Sequence, residues 1–427
     1  MRILLATIGT RGDVEPHLAL ALRVRAAGHE VAIATAPRFA PMLAAHGVPL
    51  LPLDEGLLEL LDSAAGRALF ADLDSVLGML KTVPKVLRQV GPIHHRLVAD
   101  AWAATETFRP DVIVYHPKLF CMPAFAARRG IPALLALFVP MLVPTATAPL
   151  PGFPDLPLGP IYRRLTWQLL RTAMRWGSAP FLKPWRRRHD PDGLARAADA
   201  LQLGPGRPVP VLHACSAAVC PPPADWPPEA CMTGWWFLPE SPWSPPPALA
   251  DFLAAGAPPV YIGFGSMAGV DPRATTRIVL AAVQRAGVRA LLATGWGGLG
   301  DADLPPTVFR LEQAPHAALF PRMAAVVHHG GAGTTGAGLR AGKPSVICPF
   351  GVDQPYWGAR VHALGAGPPP IPQRRLTIER LAEALQCAVQ DPAMRERAEA
   401  LGRAIRAEDG TGVALARIEQ LVRSGPD

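Results

Sequence analysis

Hydrophobic positions in this chain fall into short, closed runs. Residues 3–8 (ILLATI), 111–115 (DVIVY) and 133–138 (ALLALF) are nearly unbroken apolar blocks. That is the pattern of strands buried on both faces of a parallel sheet, not of half-exposed strands, which alternate. Longer helical stretches separate them. Residues 16–27 read as a helix that opens at Pro16 and stops at Gly28, and a further strand covers 30–35. Strand–helix–strand order predicts a sheet covered by helices on both sides, with its ligand crevice at the carboxyl ends of the strands. The rhythm resumes at Val260, with strands over 290–293, 308–311, 324–327 and 345–349, and closes in helical sequence from 378 to 421.

Between the two blocks proline accumulates (CPPPADWPP, PESPWSPPPA). Prolines stiffen a chain and suppress regular pairing, so this stretch reads as a linker. The division expected is a first Rossmann-like domain over 1–220, a linker over 221–248 and a second Rossmann-like domain over 249–400. A C-terminal helical segment, 401–427, should pack back on the first domain. The fold class is therefore α/β, with two doubly wound parallel sheets facing across a cleft.

Composition narrows the partners. The chain has 427 residues, half of them apolar and 18% charged, which suits compact domains and excludes a disordered chain. A net charge of +8 favours nucleotides, phosphates or anionic lipid surfaces. No nucleic-acid recognition motif is present, so nucleic acid is not expected as a partner. The six cysteines lack C-x-x-C spacing, which argues against a zinc site or a disulfide framework. Buried free thiols in a reducing cytoplasm are expected, with Cys220 and Cys231 the one pair that could join. No run approaches the ~20 apolar residues of a membrane span. The apolar start breaks too early, at Thr10-Arg11-Gly12-Asp13, to be a signal peptide. A cytoplasmic location follows, with peripheral membrane contact left open.

The chemistry concentrates in residues 326–357, VVHHGGAGTTGAGLRAGKPSVICPFGVDQPYW. A strand ends in His328 and His329, a glycine turn follows, and a helix opens at Thr334 and Thr335. Glycines let backbone approach a ligand, and bare N–H groups at a helix start attract anions. Further on stands Asp353-Gln354, a polar pair suited to hydroxyl groups. Diphosphate plus polyol describes a nucleotide sugar.

Those residues, together with TIGTRGDVEPHLALA near the start, resemble the UDP-glycosyltransferases. The likeness is strongest to sterol glucosyltransferases and to bacterial enzymes that glycosylate glycopeptide or polyketide aglycones. The resemblance implies the GT-B fold, inversion at the anomeric carbon and no tightly bound metal. It implies that His329 donates to the diphosphate, helped by backbone N–H groups at Gly331, Ala332 and Gly333 and by the Thr334 hydroxyl. Asp353 and Gln354 would meet the sugar, and Ser266 would supply a second phosphate-facing hydroxyl. Gln313, Ala314 and His316 occupy the place of the nucleobase contact. Plant relatives carry tryptophan where this chain has Gln313, so UDP-glucose is the expected co-substrate and a TDP-sugar stays open. The glycine-rich run 295–300 lacks a following Lys and Ser/Thr and reads as a flexible loop. Asp72 and Asp74 read as solvated charges, not a metal pair.

On the acceptor side the resemblance makes Asp13 the general base; the plain alternative is a helix cap. His17, four residues on and on the same helical face, is the rival base. Phe70, Met79 and His94 are read as lining an apolar acceptor pocket. Between Leu156 and His189 there are eight basic residues and no acid, with Trp167, Trp176 and Trp185 among them. Either this is a solvated helix with its aromatics inward, or a surface that rests on anionic membrane.

The expected function is transfer of a hexose, glucose first, to a hydroxyl of a lipophilic acceptor such as a sterol, terpenoid or polyketide-like aglycone. The alternatives are a nucleotide-sugar epimerase on the same fold and a non-catalytic partner protein. A dehydrogenase is the least favoured alternative, because GTRGD lacks the G-x-G-x-x-G of a dinucleotide fold.

Overall fold

The computed structural model describes residues 1–62, 76–150, 153–195, 198–240, 242–265, 272–293, 304–351 and 353–424. It divides into two compact units. The first comprises Met1–Ala214, Pro222–Leu238 and Gly410–Asp427; the second comprises Cys215–Pro221 and Pro239–Asp409. The proline-rich stretch is thus shared: residues 222–238 fold with the first unit, and Pro239 onward with the second.

In the first unit, β1 (Arg2–Ala6), β2 (Glu30–Thr35), β3 (Leu50–Pro52), β4 (Val112–Tyr115), β5 (Ala133–Leu137), β6 (Val211–His213) and β7 (Ala230–Met232) form one sheet. Their order is β3-β2-β1-β4-β5-β6-β7, and every pairing is parallel. The unbroken apolar runs have a simple cause. Ile3 and Leu5 enter one hydrophobic core, while Leu4 and Ala6 enter another on the opposite face. Side chains alternate across a sheet, so a strand covered on both faces needs apolar residues at every position.

Its principal helices are α1 (Arg11–Ala26), α2 (Val76–Phe108), α3 (Met122–Arg129) and α4 (Gly159–His189). Helix α1 starts five residues before Pro16, where the sequence places it. Asp13 Oδ2 accepts from the Thr10 backbone N–H at 2.7 Å, which closes the helix start and leaves Pro16 inside the helix. Asp13 is therefore not the N-cap residue; Thr10 is. β1 and β4 are neighbours with Ala6 opposite Tyr115, so the segments that follow them emerge side by side.

The second unit holds β8 (Val260–Gly263), β9 (Ala290–Ala293), β10 (Val308–Leu311), β11 (Ala325–His328) and β12 (Ser345–Ile347). Their order is β10-β9-β8-β11-β12, again parallel throughout. Helices α5 (Pro272–Ala286), α6 (Ala332–Arg340), α7 (Gln354–Ala363), α8 (Ile378–Gln390) and α9 (Pro392–Arg406) accompany them. The long helical pattern near the C-terminus is broken at Asp391, whose side chain caps α9 by accepting from the Ala393 and Met394 N–H groups. The last helix, α10 (Gly410–Ser424), belongs to the first unit. There His29 Nε2 meets Glu419 Oε1 at 2.9 Å.

All six cysteines are free. Among the described residues no helix is long and apolar enough to cross a membrane.

Candidate active site

In the second unit, β11 ends at His328 and delivers a glycine turn into α6. The sequence opens this helix at Thr334, but it begins at Ala332. Gly331 is its N-cap and offers no side-chain cap, so the first N–H groups of the helix keep their unpaired, anion-seeking character. The two threonines differ. Thr335 is buried and turned inward, its Oγ1 donating to the Gly331 carbonyl at 2.9 Å, whereas Thr334 is partly exposed.

His329 lies over this helix start. A Cβ at Gly331 would stand 2.7 Å from His329 Nε2, and one at Gly265 would stand 3.4 Å from Cε1. Glycine at 331 is what leaves room for the imidazole, whereas at Gly265 the φ of +66° is what favours glycine. At Gly330, with φ +96°, a Cβ would come 2.7 Å from Ile347 Cγ2, so that position is closed to side chains. His329 Nδ1 is buried without a partner among the described residues, and burial holds its pKa below the ordinary histidine value. It is a neutral ring. His328 plays a different part. Its Nδ1 accepts from the Gly330 N–H at 3.0 Å and pins the turn from inside the core.

Asp353 and Gln354 follow β12 and open α7. Trp357, fully enclosed, donates from Nε1 to Asp353 Oδ2 at 3.2 Å, so the indole supports the carboxylate from below. Gln354 is buried, and its Oε1 accepts from the Phe350 N–H at 2.7 Å. Its carbonyl end thus holds the preceding turn. Beyond β10, Gln313 is exposed and Ala314 partly so. His316 stacks on Phe320 with ring centroids 4.3 Å apart. Ser266 lies outside the described residues, as do the glycine-rich run 295–300, Asp72 and Asp74.

In the first unit, Asp13 stands at the carboxyl edge of the sheet with more partners than its sequence suggests. Oδ1 lies 3.2 Å from His116 Nε2 and Oδ2 lies 3.1 Å from Lys118 Nζ. A Cβ at Gly9 would fall 2.0 Å from Asp13 Oδ2 and 2.7 Å from Lys118 Nζ, so this cluster exists only because residue 9 is glycine. Burial alone would push the Asp13 carboxyl up. The hydrogen bond from His116 and the charge of Lys118 outweigh it, and hold the group well below the usual carboxylate range.

His17, the rival base, is fully enclosed. Its ring meets Phe138 and Trp236 edge-on, and its Nδ1 faces the Asp13 carbonyl oxygen at 2.8 Å. Burial lowers its pKa to about 3. A base must present a lone pair to a substrate hydroxyl, and an enclosed imidazole offers none. His17 instead supports the backbone at Asp13.

Of the acceptor residues, His94 stacks on Phe181 at 4.7 Å and on Phe120 at 5.7 Å, while its Nδ1 faces the Val90 carbonyl at 3.0 Å. Phe70 lies outside the described residues, and so does the side chain of Met79 in α2.

Known proteins share this architecture. Residues 3–114 match the family described as glycosyltransferase family 28 N-terminal domain, and residues 294–415 match the erythromycin biosynthesis protein CIII-like C-terminal domain. A sterol 3-beta-glucosyltransferase of Emericella nidulans is 36% identical over 98% of this chain. Sterol 3-beta-glucosyltransferase UGT80A2 of Arabidopsis thaliana is 33% identical over 97%. The solved structure of glycosyltransferase VinC in complex with dTDP superposes with a TM-score of 0.67 at 21% identity, covering 100% of both chains. The chain shares the two-domain fold of that solved glycosyltransferase. It spans 30% of the Emericella relative's length and 64% of the Arabidopsis relative's.

Within this chain, His116 and Lys118 were not among the residues singled out from the sequence, yet both touch Asp13. A signal was present. DVIVY is a buried strand, and the residues just past its carboxyl end, His116-Pro117-Lys118, stand where α/β sheets place ligand-facing groups.

Proposed function

We propose that this chain transfers a hexose, glucose in the first instance, from a nucleoside-diphosphate sugar to a hydroxyl of a lipophilic acceptor, with inversion and without a metal. The observation that carries the reading is His329 Nε2 lying over Gly331 at the uncapped start of α6. A helix start and a neutral imidazole donor form an anion cradle whose donors need no reorganisation as charge builds on the departing diphosphate. The names of the sterol 3-beta-glucosyltransferase relatives support glucose and a sterol-like acceptor. The dTDP in VinC supports a nucleoside diphosphate and keeps TDP beside UDP as the carrier.

Asp13 is the general base of this proposal. A carboxylate held below its usual range is a weak base towards a free alcohol. As the acceptor oxygen bonds to the anomeric carbon, however, its proton becomes strongly acidic, and a weak base suffices when transfer is concerted with attack. The diphosphate leaves from the opposite face. Asp353 and Gln354 are the proposed sugar contacts, with Ser266 and Thr334 at the phosphates and Gln313, Ala314 and His316 near the base. Phe70, Met79 and His94 are proposed on the acceptor side. The reaction suits a reducing compartment, where six free thiols persist. A lipophilic acceptor resides in a bilayer, and a chain of net charge +8 is drawn to anionic lipid.

The test is incubation of the purified chain with UDP-glucose or TDP-glucose and a panel of sterol and polyketide-like alcohols. Mass spectrometry detects the product, and the anomeric coupling constant in NMR reads the stereochemistry. A β-glucoside from an α-configured donor is expected. Isomerised sugar from donor alone would instead identify an epimerase, and donor binding without transfer to any alcohol would identify a non-catalytic partner.

A further inference from the structure

Helix α4 carries two apolar faces. Trp167, Leu182 and Trp185 are buried, and Phe181 packs into the first unit's core. On the outer side Ile161, Leu165, Leu169 and Trp176 are exposed, Ile161 by 76% and Trp176 by 78%, and Leu158 at the N-cap continues the row. At 100° per residue, these five fall within roughly 80° of arc, opposite the buried set. Single exposed hydrophobic residues need no explanation, but an aligned stripe roughly 27 Å long does.

Charge identifies the occupant. The helix and its entry, residues 156–189, hold eight basic residues and no acid. Arg163, Arg164 and Arg175 are paired with Asp155, Asp225 and Asp199 from outside the helix. Lys183, Arg187 and Arg188 are exposed and make no ion pair among the described residues. Lys183 and Arg187 continue the same outward wedge as the apolar stripe. A second copy of this chain would bring two acid-free basic helices together, which like charges oppose. An anionic bilayer satisfies both parts: indole and aliphatic side chains enter the interface while lysine and arginine meet the headgroups.

We propose that the outer face of α4 docks the chain on anionic membrane, with Leu165, Leu169 and Trp176 inserted and Lys183 and Arg187 on the headgroups. This deepens the proposed function and rests on it for its purpose, since it names the surface from which a lipophilic acceptor is drawn. The inner face of the same helix reaches the His94–Phe181 stack, so docking and acceptor capture share one element.

The test is flotation of the full chain with phosphatidylcholine vesicles, with and without about one-third phosphatidylserine. Binding to the anionic vesicles alone is expected, weakening between ~0.1 M and ~0.5 M salt. Leu165→Ser with Trp176→Ser should lower the partition coefficient at least about tenfold, the order expected for two apolar side chains left in water. Lys183→Glu with Arg187→Glu should flatten the salt dependence. Both variants should keep the parent's thermal midpoint and its turnover on a short water-soluble alcohol. Equal binding to neutral vesicles, no binding at all, or wild-type partition in the Leu165/Trp176 variant would overturn the proposal. So would a concentration-dependent dimer that the Trp176 change dissolves, which would assign the face to a second copy. Vesicle binding is read without turnover, so failure to transfer sugar would sink the proposed function and leave this result intact.

Discussion

His116 Nε2 lies 3.2 Å from Asp13 Oδ1, joining the segment after β4 to the first turn of α1. The other ring nitrogen, Nδ1, accepts from the Lys118 backbone N–H at 3.3 Å. That acceptance fixes the tautomer, so the proton sits on Nε2 and is donated to the carboxylate. Burial keeps the His116 pKa below its ordinary value despite the neighbouring Asp13. The ring is a neutral donor that aims the carboxylate. Its stacking on Phe138 holds it in that plane.

Asp13→Asn keeps the shape and removes the proton acceptor. Turnover should fall about 10²–10⁴-fold, the usual contribution of a general base. Calorimetric binding of UDP or TDP should be unchanged, because the anion cradle is built in the other unit. Near-normal turnover in this variant refutes the assignment.

Replacing His116 by Phe preserves the ring and deletes the donor. Asp13 then loses a hydrogen bond that favours its charged form, and its pKa rises toward the ordinary carboxylate value. The acid limb of kcat should therefore move to higher pH, with a loss of about tenfold near neutrality for one misaimed group. His116→Gln, which can still donate, should recover part of it. An unmoved pH profile would mean that His116 only packs.

Gly331→Ala places a Cβ 2.7 Å from His329 Nε2, inside van der Waals contact. The imidazole must swing away, and nucleoside-diphosphate affinity should drop by roughly 10–100-fold, the equivalent of about 1.5–3 kcal/mol for a hydrogen bond to a charged group. His329→Ala should cost a similar amount. The double variant should cost little more than either alone, because both remove one interaction. Titration calorimetry with UDP checks this, and additive losses would separate the glycine from the histidine.

Four buried histidines set an acid limit on stability. Burial lowers His17 to about 3 and His213 to about 4, and lowers His116 and His328 as well. The unfolded chain takes up these protons below pH ~6.5 while the folded chain does not, so the unfolded state binds more protons there. Stability must then fall as pH drops from ~6.5, by up to about 1.4 kcal/mol per pH unit each for His17 and His213, with His116 and His328 acting in the same direction. Asp13, with its depressed pKa, opposes nothing in this window, because its contribution is lost only below the unfolded carboxylate value near 4. Thermal midpoints measured from pH 7 to 5 should decline steadily; a flat profile would show that these rings are protonated in the fold.

Much of this arrangement can be read from the chain itself. The runs at 30–35, 290–293 and 308–311 are strands with those same bounds; 290–293, inside its sheet, is apolar at every position, while 308–311 at the sheet edge leaves Arg310 exposed. The glycine turn after His329 is equally readable, since close backbone approach restricts the residue type. The start of α1 is less so. Pro16 marks a first turn by propensity, but Asp13 reaching back to Thr10 closes the helix earlier, a bond that depends on side-chain direction.

Local patterns spanning a few neighbouring residues specify the class of each half: parallel strands, a glycine-lined helix start and a carboxylate at the first turn. Which distant groups meet is settled by packing alone. Setting β1 beside β4 brings His116 and Lys118 onto Asp13, and enclosing His17 among Phe138 and Trp236 withdraws it from substrate. Seating α4 on the core turns Trp167 and Trp185 inward while Trp176 is left outside. Each outcome is fixed by strand order and by which side of a helix faces the sheet, and neither is encoded in any single local stretch of chain.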